Sequence, residues 1–135
     1  MGCGRVGARL ALILTHANHE VVIMDIKSSA FSRLGPAFAG TTILGNGIDQ
    51  EVLKRAGIER ADAFVAATQG DNRNIMASQI AKHVFGVKRV VTRIYDPLRS
   101  DTFAALGLQA ISPTIIGAAS FYEELTGEPA PALAI

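Results

Sequence analysis

The stretch that decides the fold is Met1-Gly2-Cys3-Gly4-Arg5-Val6-Gly7. Gly2, Gly4 and Gly7 form a G-x-G-x-x-G turn, with Arg5 inside it. In such a turn the first glycine permits the tight bend and the second lets a pyrophosphate approach the backbone. The third lets the following helix pack closely, while free N–H groups at that helix's N-terminus face the phosphates. A chain with 13 glycines in 135 residues produces this spacing easily, so the weight falls on its surroundings. The motif belongs after a buried β-strand, yet only Met1 precedes it.

Downstream, Ala8–Leu14 reads as a buried helix, with Val6, Leu10, Ile13 and Leu14 at helical spacing and Asn18 as a left-handed C-terminal cap. Val21–Met24, ending at Asp25, is a continuous apolar run of the kind covered on both faces of a parallel sheet. Ser28–Leu34 is a short helix stopped by Gly35-Pro36, and Thr41–Leu44 is a strand leading into the turn Gly45-Asn46-Gly47. Asp49 caps a helix ending at Gly57. Ala63–Ala67 is a strand, and the polar loop Gln69–Asn74 opens a helix reaching Phe85. Val90–Ile94 is a strand, Asp96-Pro97 starts the next helix, and Ala110–Ser112 is a last short strand. Pro113–Leu125 is the final helix, with Ile115, Ile116, Ala119 and Tyr122 on one face. Met24 and Met76 read as core. Residues 1–126 thus form one domain, and 127–135, with Pro129 and Pro131, form a tail or linker.

Alternating strands and helices imply an α/β fold, a Rossmann-like, doubly wound parallel sheet in three layers. Five strands are visible where six are needed, and the one lacking is the first, which is central in the order 3-2-1-4-5-6. Its absence leaves a gap lined by unpaired backbone groups, each costing roughly 1–3 kcal/mol. The expectation is that the natural domain starts upstream of Met1, or that another segment fills the gap.

Composition narrows the function. The chain is 49% hydrophobic and 19% charged, with mean hydropathy +0.28. Its apolar runs are nevertheless far shorter than the ~18–20 residues that span a bilayer. Net charge is +1 with no cluster of five like charges, which argues against nucleic acid as a partner and, with the short runs, against direct membrane insertion. A single cysteine, Cys3, rules out an internal disulfide and fits a reducing, cytoplasmic setting.

Asp25 supports the glycine motif, since it ends the second strand 18 residues after Gly7. An acidic side chain there accepts hydrogen bonds from ribose hydroxyls and repels a 2′-phosphate, favouring NAD, ATP or ADP over NADP. Arg5 is placed to pair with a phosphate, and Cys3 to point toward the nucleotide as a small filler. Thr68, Asp71, Asn72 and Asn74 form a polar cluster at the carboxyl edge of the sheet, where ligands sit in open α/β folds. His16, His19 and His83 share no metal-ligand spacing. No acid–base set or substrate domain for dehydrogenase chemistry is found, so nucleotide binding without catalysis is the better inference.

Taken together, Gly2–Gly7, His19–Asp25, Gly45–Asp49, Ala56–Ala63, Thr68 with Asn74-Ile75, Leu106-Gly107 and Ile111–Thr114 resemble the TrkA-N or RCK N-terminal domain, over about residues 1–115. The resemblance implies a cytoplasmic regulatory domain of a potassium channel or transporter, peripheral to the inner face of the membrane, that binds NAD(H) or ATP/ADP. It also implies a homodimer, often a ring, joined by the last helix crossing to a partner subunit. By that resemblance Gly2, Cys3, Gly4, Arg5, Val6 and Gly7 meet phosphates, Asp25 with Ile26 and Lys27 the ribose, and Asn46, Gly47, Thr68 and Asn74 the region of the base. The chain departs from the family pattern in its absent first strand, in Asn46 where an acidic residue is common, and in the lack of a second, C-terminal ligand domain within these residues. Rival readings are an NAD-dependent oxidoreductase fragment and a dimerisation module with a degenerate site.

Overall fold

The computed structural model describes residues 1–133, and the end of the 127–135 tail lies outside the described residues. Five strands alternate with helices in chain order: α1 (Arg5–His16), β1 (Val22–Asp25), a 3-10 helix (Ser28–Leu34), β2 (Thr41–Leu44), α2 (Gln50–Arg55) and β3 (Ala63–Ala66). Then come α3 (Asp71–Gln79), continued by a π-helical turn (Ile80–Val84), β4 (Arg89–Arg93), a 3-10 turn (Pro97–Arg99) leading into α4 (Ser100–Ala105), β5 (Gln109–Ile111) and α5 (Pro113–Thr126).

The element ends follow local chemistry. Asp49 caps α2 by accepting from the Glu51 N–H, Asp96 accepts from Leu98 ahead of its turn, and Ser112 caps α5 through Ile115. Asn18, at φ 63°, closes α1 in the left-handed conformation, and Gly57, at φ 88°, does the same after α2.

All strand pairs are parallel, but hydrogen bonding divides them into two sheets, β2-β1 and β3-β4-β5. Placed side by side these give a doubly wound order with its centre vacant. Successive residues of β1 point to opposite layers. Ile23 packs with Cys3, Ala8, Ala11, Ala30 and Leu34 beneath α1 and the first 3-10 helix. Met24 packs with Leu53, Phe64, Ala77 and Val90 beneath α2 and α3. A smaller cluster of Ile94, Phe103 and Leu108 seats α4.

Met1 and Gly2 occupy one end of the vacant centre. The Met1 ammonium donates to the Val65 carbonyl at 2.7 Å. The Ala67 N–H donates to the Met1 carbonyl at 2.8 Å, and the Gly2 N–H to the Met24 carbonyl at 2.8 Å. These bonds bridge β1 and β3 at their carboxyl ends. Beyond them lies an open slot of about 1040 Å³.

Two sequence expectations are corrected by this arrangement. The buried residues of α1 are Gly7, Ala8 and Ala11, whereas Val6 and Ile13 are exposed and Leu10 and Leu14 line the slot. The small residues Gly7, Ala8 and Ala11 form the packed face of α1, so only Leu10 and Leu14 of the expected stripe border the sheet. Met76 is 55% exposed and is not core; on α3 the inward face is taken by the small residues Asn74, Ala77 and Ser78.

Candidate functional site

The glycine turn is shaped by backbone contacts. Gly2 has φ +97°, and a Cβ there would lie 2.9 Å from backbone atoms of Ala67 and Thr68, so both conformation and space require glycine. Any Cβ on Gly7 would run into the carbonyl oxygen of Gly2. The third glycine therefore closes the helix onto its own turn. A Cβ on Gly4 would meet nothing within 4 Å, so that side of the turn is open. Gly4 is also the N-cap of α1 and supplies no side-chain cap. The first N–H groups of α1, which have no partner within the helix, are thus left for an outside acceptor. Arg5 and Val6, on the same turn, are exposed.

Asp25 sits beside this turn and is partly used by it. Its Oδ2 accepts from the Cys3 N–H at 2.8 Å, and its Oδ1 from the Lys27 N–H at 2.9 Å. One carboxylate thus fixes the glycine turn and the start of the next segment, while each oxygen keeps a lone pair for a further donor. Ile26 and Lys27 are exposed beside it. Arg33, which sequence reasoning passed over, reaches back from the first 3-10 helix to the Cys3 carbonyl at 3.4 Å. Its signal was only a cation within a short helix following Asp25.

Cys3 departs from expectation. Its side chain is fully buried among Ala8, Ile23 and Ala30, with Sγ 3.4 Å from the Ala30 carbonyl, and does not face the open side of the turn. Burial, reinforced by the Asp25 charge, pushes its thiol pKa up, so it remains protonated and inert.

Across the turn, Thr68 and Asn74 form a closed unit. The Thr68 N–H and Oγ1 donate to Asn74 Oδ1 at 3.0 and 2.6 Å. Asn74 Nδ2 donates to the carbonyls of Thr68 and Arg93 at 3.0 and 3.1 Å. With its side chain committed in this way and fully buried, Asn74 positions Thr68. Asp71 is likewise turned inward, accepting from the N–H groups of Tyr95 and Asp96 at 2.7 and 3.0 Å. Asn72 Oδ1 accepts from Arg99 at 2.7 Å.

Asn46 is exposed and accepts from the Ile48 N–H at 3.2 Å, a local turn. Gly47 is buried, and a Cβ there would collide with the Met1 side chain, so it makes room for the N-terminus. Of the residues expected from sequence, the structure brings Gly2–Gly7, Asp25 and Lys27 together, with Thr68 beside Gly2. Among the described residues no three His, Cys, Asp or Glu side chains converge as a metal site.

Fold and turn together define a doubly wound α/β domain of the Rossmann type, with a glycine turn at the vacant centre of the sheet. The TrkA-N domain model matches residues 1–113. The Trk system potassium uptake protein TrkA of Streptomyces coelicolor is 46% identical over 112 residues, covering 83% of this chain and 50% of that protein. Among solved structures, the Kef C-terminal domain of Shewanella denitrificans in its AMP-bound form has TM-score 0.79 at 20% identity, covering 93% of this chain and 77% of that one. GsuK bound to ADP has TM-score 0.79 at 24% identity, covering 93% and 32% respectively. The chain belongs to the TrkA-N domain family. It spans about half the length of the TrkA protein it matches.

Proposed function

We propose that this chain is an adenine-nucleotide-binding regulatory domain of a potassium channel or transporter, acting by binding and not by catalysis. The observation that carries this reading is the open N-terminus of α1, with free space beside the half-buried Gly4 and the turn held against the Asp25 carboxylate. Phosphates are received by the α1 N–H groups and by Arg5, and ribose hydroxyls by the remaining lone pairs of Asp25. The carboxylate disfavours a 2′-phosphate, so NAD(H), ATP or ADP fits better than NADP. The AMP and ADP bound by the Kef and GsuK structures support this class of ligand.

Regulation requires two assembly states with different affinity for the nucleotide. For assembly, α5 is the surface that fits. It buries none of its residues within the chain and exposes Ile115, Ile116, Phe121, Tyr122 and Leu125. A second copy covering that face gives the homodimer. No helix among the described residues is long and apolar enough to cross a membrane, and in this reading the domain sits on the cytoplasmic side of the pore it regulates.

A thermal-shift panel of NAD, NADH, ATP, ADP, AMP and NADP tests the reading, followed by calorimetry on Asp25→Asn. The asparagine keeps an acceptor for the Cys3 N–H while losing the charge. Affinity for the preferred nucleotide is expected to fall about tenfold, corresponding to ~1.4 kcal/mol. If no nucleotide raises the melting temperature, the reading as a dimerisation module replaces this one.

A further inference from the structure

The first 3-10 helix (Ser28–Leu34) is seated beside the glycine turn by two of its residues. Ala30 and Leu34 are buried with Cys3, Ala8, Ala11 and Ile23. The Ala30 N–H donates to the Lys27 carbonyl at 3.1 Å, and Gly35, at φ 63°, ends the element just after Leu34. Arg33, next to the anchored Leu34, is thereby carried back toward the turn and donates through Nη1 to the Cys3 carbonyl at 3.4 Å. Asp25 Oδ2 accepts from the N–H of that same residue at 2.8 Å. Both backbone groups of Cys3 are therefore taken by opposite charges, a carboxylate at the nitrogen and a guanidinium at the oxygen.

The balance of charge around Asp25 follows from these contacts. The Lys27 N–H donates to Asp25 Oδ1, while its side chain is exposed and its ammonium makes no hydrogen bond or ion pair among the described residues. A guanidinium carries five N–H donors, of which Arg33 commits one to Cys3. Neither cation forms an ion pair with Asp25. The corner where a ribose would lie thus holds one carboxylate against two cations whose donors are largely unspent. Burial and then the Asp25 charge raise the Cys3 thiol pKa, and the Arg33 charge opposes that rise, so the field of the guanidinium is felt at the turn itself.

At the end of the second strand of such folds, a carboxylate receives a free ribose, whereas an arginine nearby accommodates a ribose 2′-phosphate. Here both are present. The planar fork of arginine matches phosphate oxygens two at a time, which an ammonium does not, and Arg33 is held in place by the Cys3 carbonyl. Building on the nucleotide-binding reading above, we propose that Arg33 is a specificity-determining residue of the site, its guanidinium receiving a phosphate carried on the 2′ oxygen of the adenosine ribose. Asp25 sets the preference for a free ribose, and Arg33 limits the size of that preference. The chain therefore takes a 2′-phosphorylated adenine nucleotide as a second, weaker ligand. Phosphates at the 5′ end meet the α1 N–H groups and Arg5 and do not draw on Arg33.

Calorimetry with NAD and NADP, which differ only by the 2′-phosphate, tests this on the 135-residue chain and on Arg33→Gln. The glutamine keeps a donor for the Cys3 carbonyl while losing the charge. In the unaltered chain NADP is expected to bind within about tenfold of NAD. In Arg33→Gln it is expected to fall to about a hundredfold weaker than NAD, with NAD itself changed by less than about threefold. Arg33→Lys is expected to restore part of the NADP affinity. An NADP-to-NAD ratio that Arg33→Gln leaves unchanged overturns the proposal, whether both affinities hold or both fall together, since Arg33 then only shapes the turn. So does NADP binding already about a hundredfold weaker than NAD in the unaltered chain. In those cases NAD binding leaves the nucleotide reading standing, whereas binding of neither ligand overturns both.

Discussion

The gap between β1 and β3 has two ends that differ sharply. At the carboxyl end Met1, Gly2 and Cys3 tie both strands together through the Val65, Ala67, Met24 and Asp25 contacts. At the amino end the same two strands face an open slot. Three residues thus suffice to place the glycine turn, while the layers behind it keep unpaired edges. Site geometry and sheet completeness are separable in this fold, and stability should divide along the same line.

The largest effect is expected far from the gap. Phe103 is fully buried beneath β4 and β5, and Phe103→Ala should cost about 3–5 kcal/mol in denaturant unfolding. Gly7→Ala strikes the tied end, forcing a Cβ into the Gly2 carbonyl. A cost of about 3 kcal/mol is expected, with nucleotide binding lost even where the protein stays folded.

The buried α-amine gives a smaller, pH-dependent effect. In the 135-residue chain, burial lowers the Met1 ammonium pKa from 8.0 to about 6, opposed chiefly by the charge of Asp25. Between those values the unfolded chain binds a proton that the folded chain does not. Stability is therefore full above pH 8 and falls as the pH drops to about 6, by about 2–3 kcal/mol. Blocking the amine by acetylation should remove that component from the pH profile measured by urea unfolding. A profile unchanged by the blocked amine counts against burial of the charge.

The smallest effect belongs to the open end. Leu14 faces the slot, so Leu14→Ala should cost only about 1 kcal/mol or less in urea unfolding. A loss as large as that of Phe103→Ala would place Leu14 in a packed layer and not at the slot.

Much of this was legible in the sequence because it is decided locally. Asp49 and Asp96 cap helices where their short acceptors predict, and Gly57 marks a helix end through positive φ, whereas Ser112, read as the end of the last strand, proves to be the cap of α5. Strand positions followed from apolar runs to within a residue or so. The vacant centre was also legible, since the glycine turn needs a strand before it. What escaped depends on contacts distant in sequence. The inward turn of Cys3 is set by Ala30 and Ile23, and the closure of Asn74 by the Arg93 carbonyl. Val6 and Ile13 share helical spacing with Leu10 and Leu14 yet lie off the slot and exposed, because the inward face of α1 is taken by Gly7, Ala8 and Ala11. Asp25 was read as a ligand group, and its hold on the Cys3 N–H could not be read from its spacing.

The inward-turned side chains at the start of α3 have a mechanical consequence. Asp71 grips the N–H groups of Tyr95 and Asp96, Asn74 the Arg93 carbonyl, and Asn72 the Arg99 guanidinium. The first turn of α3 is thereby joined to the corner between β4 and α4 by polar contacts as well as by Ile75, which packs on the Ile94, Phe103 and Leu108 cluster. Because Asn74 also holds Thr68, which borders the glycine turn, an unbroken run of polar contacts links that turn through the start of α3 to the segment leading into α4.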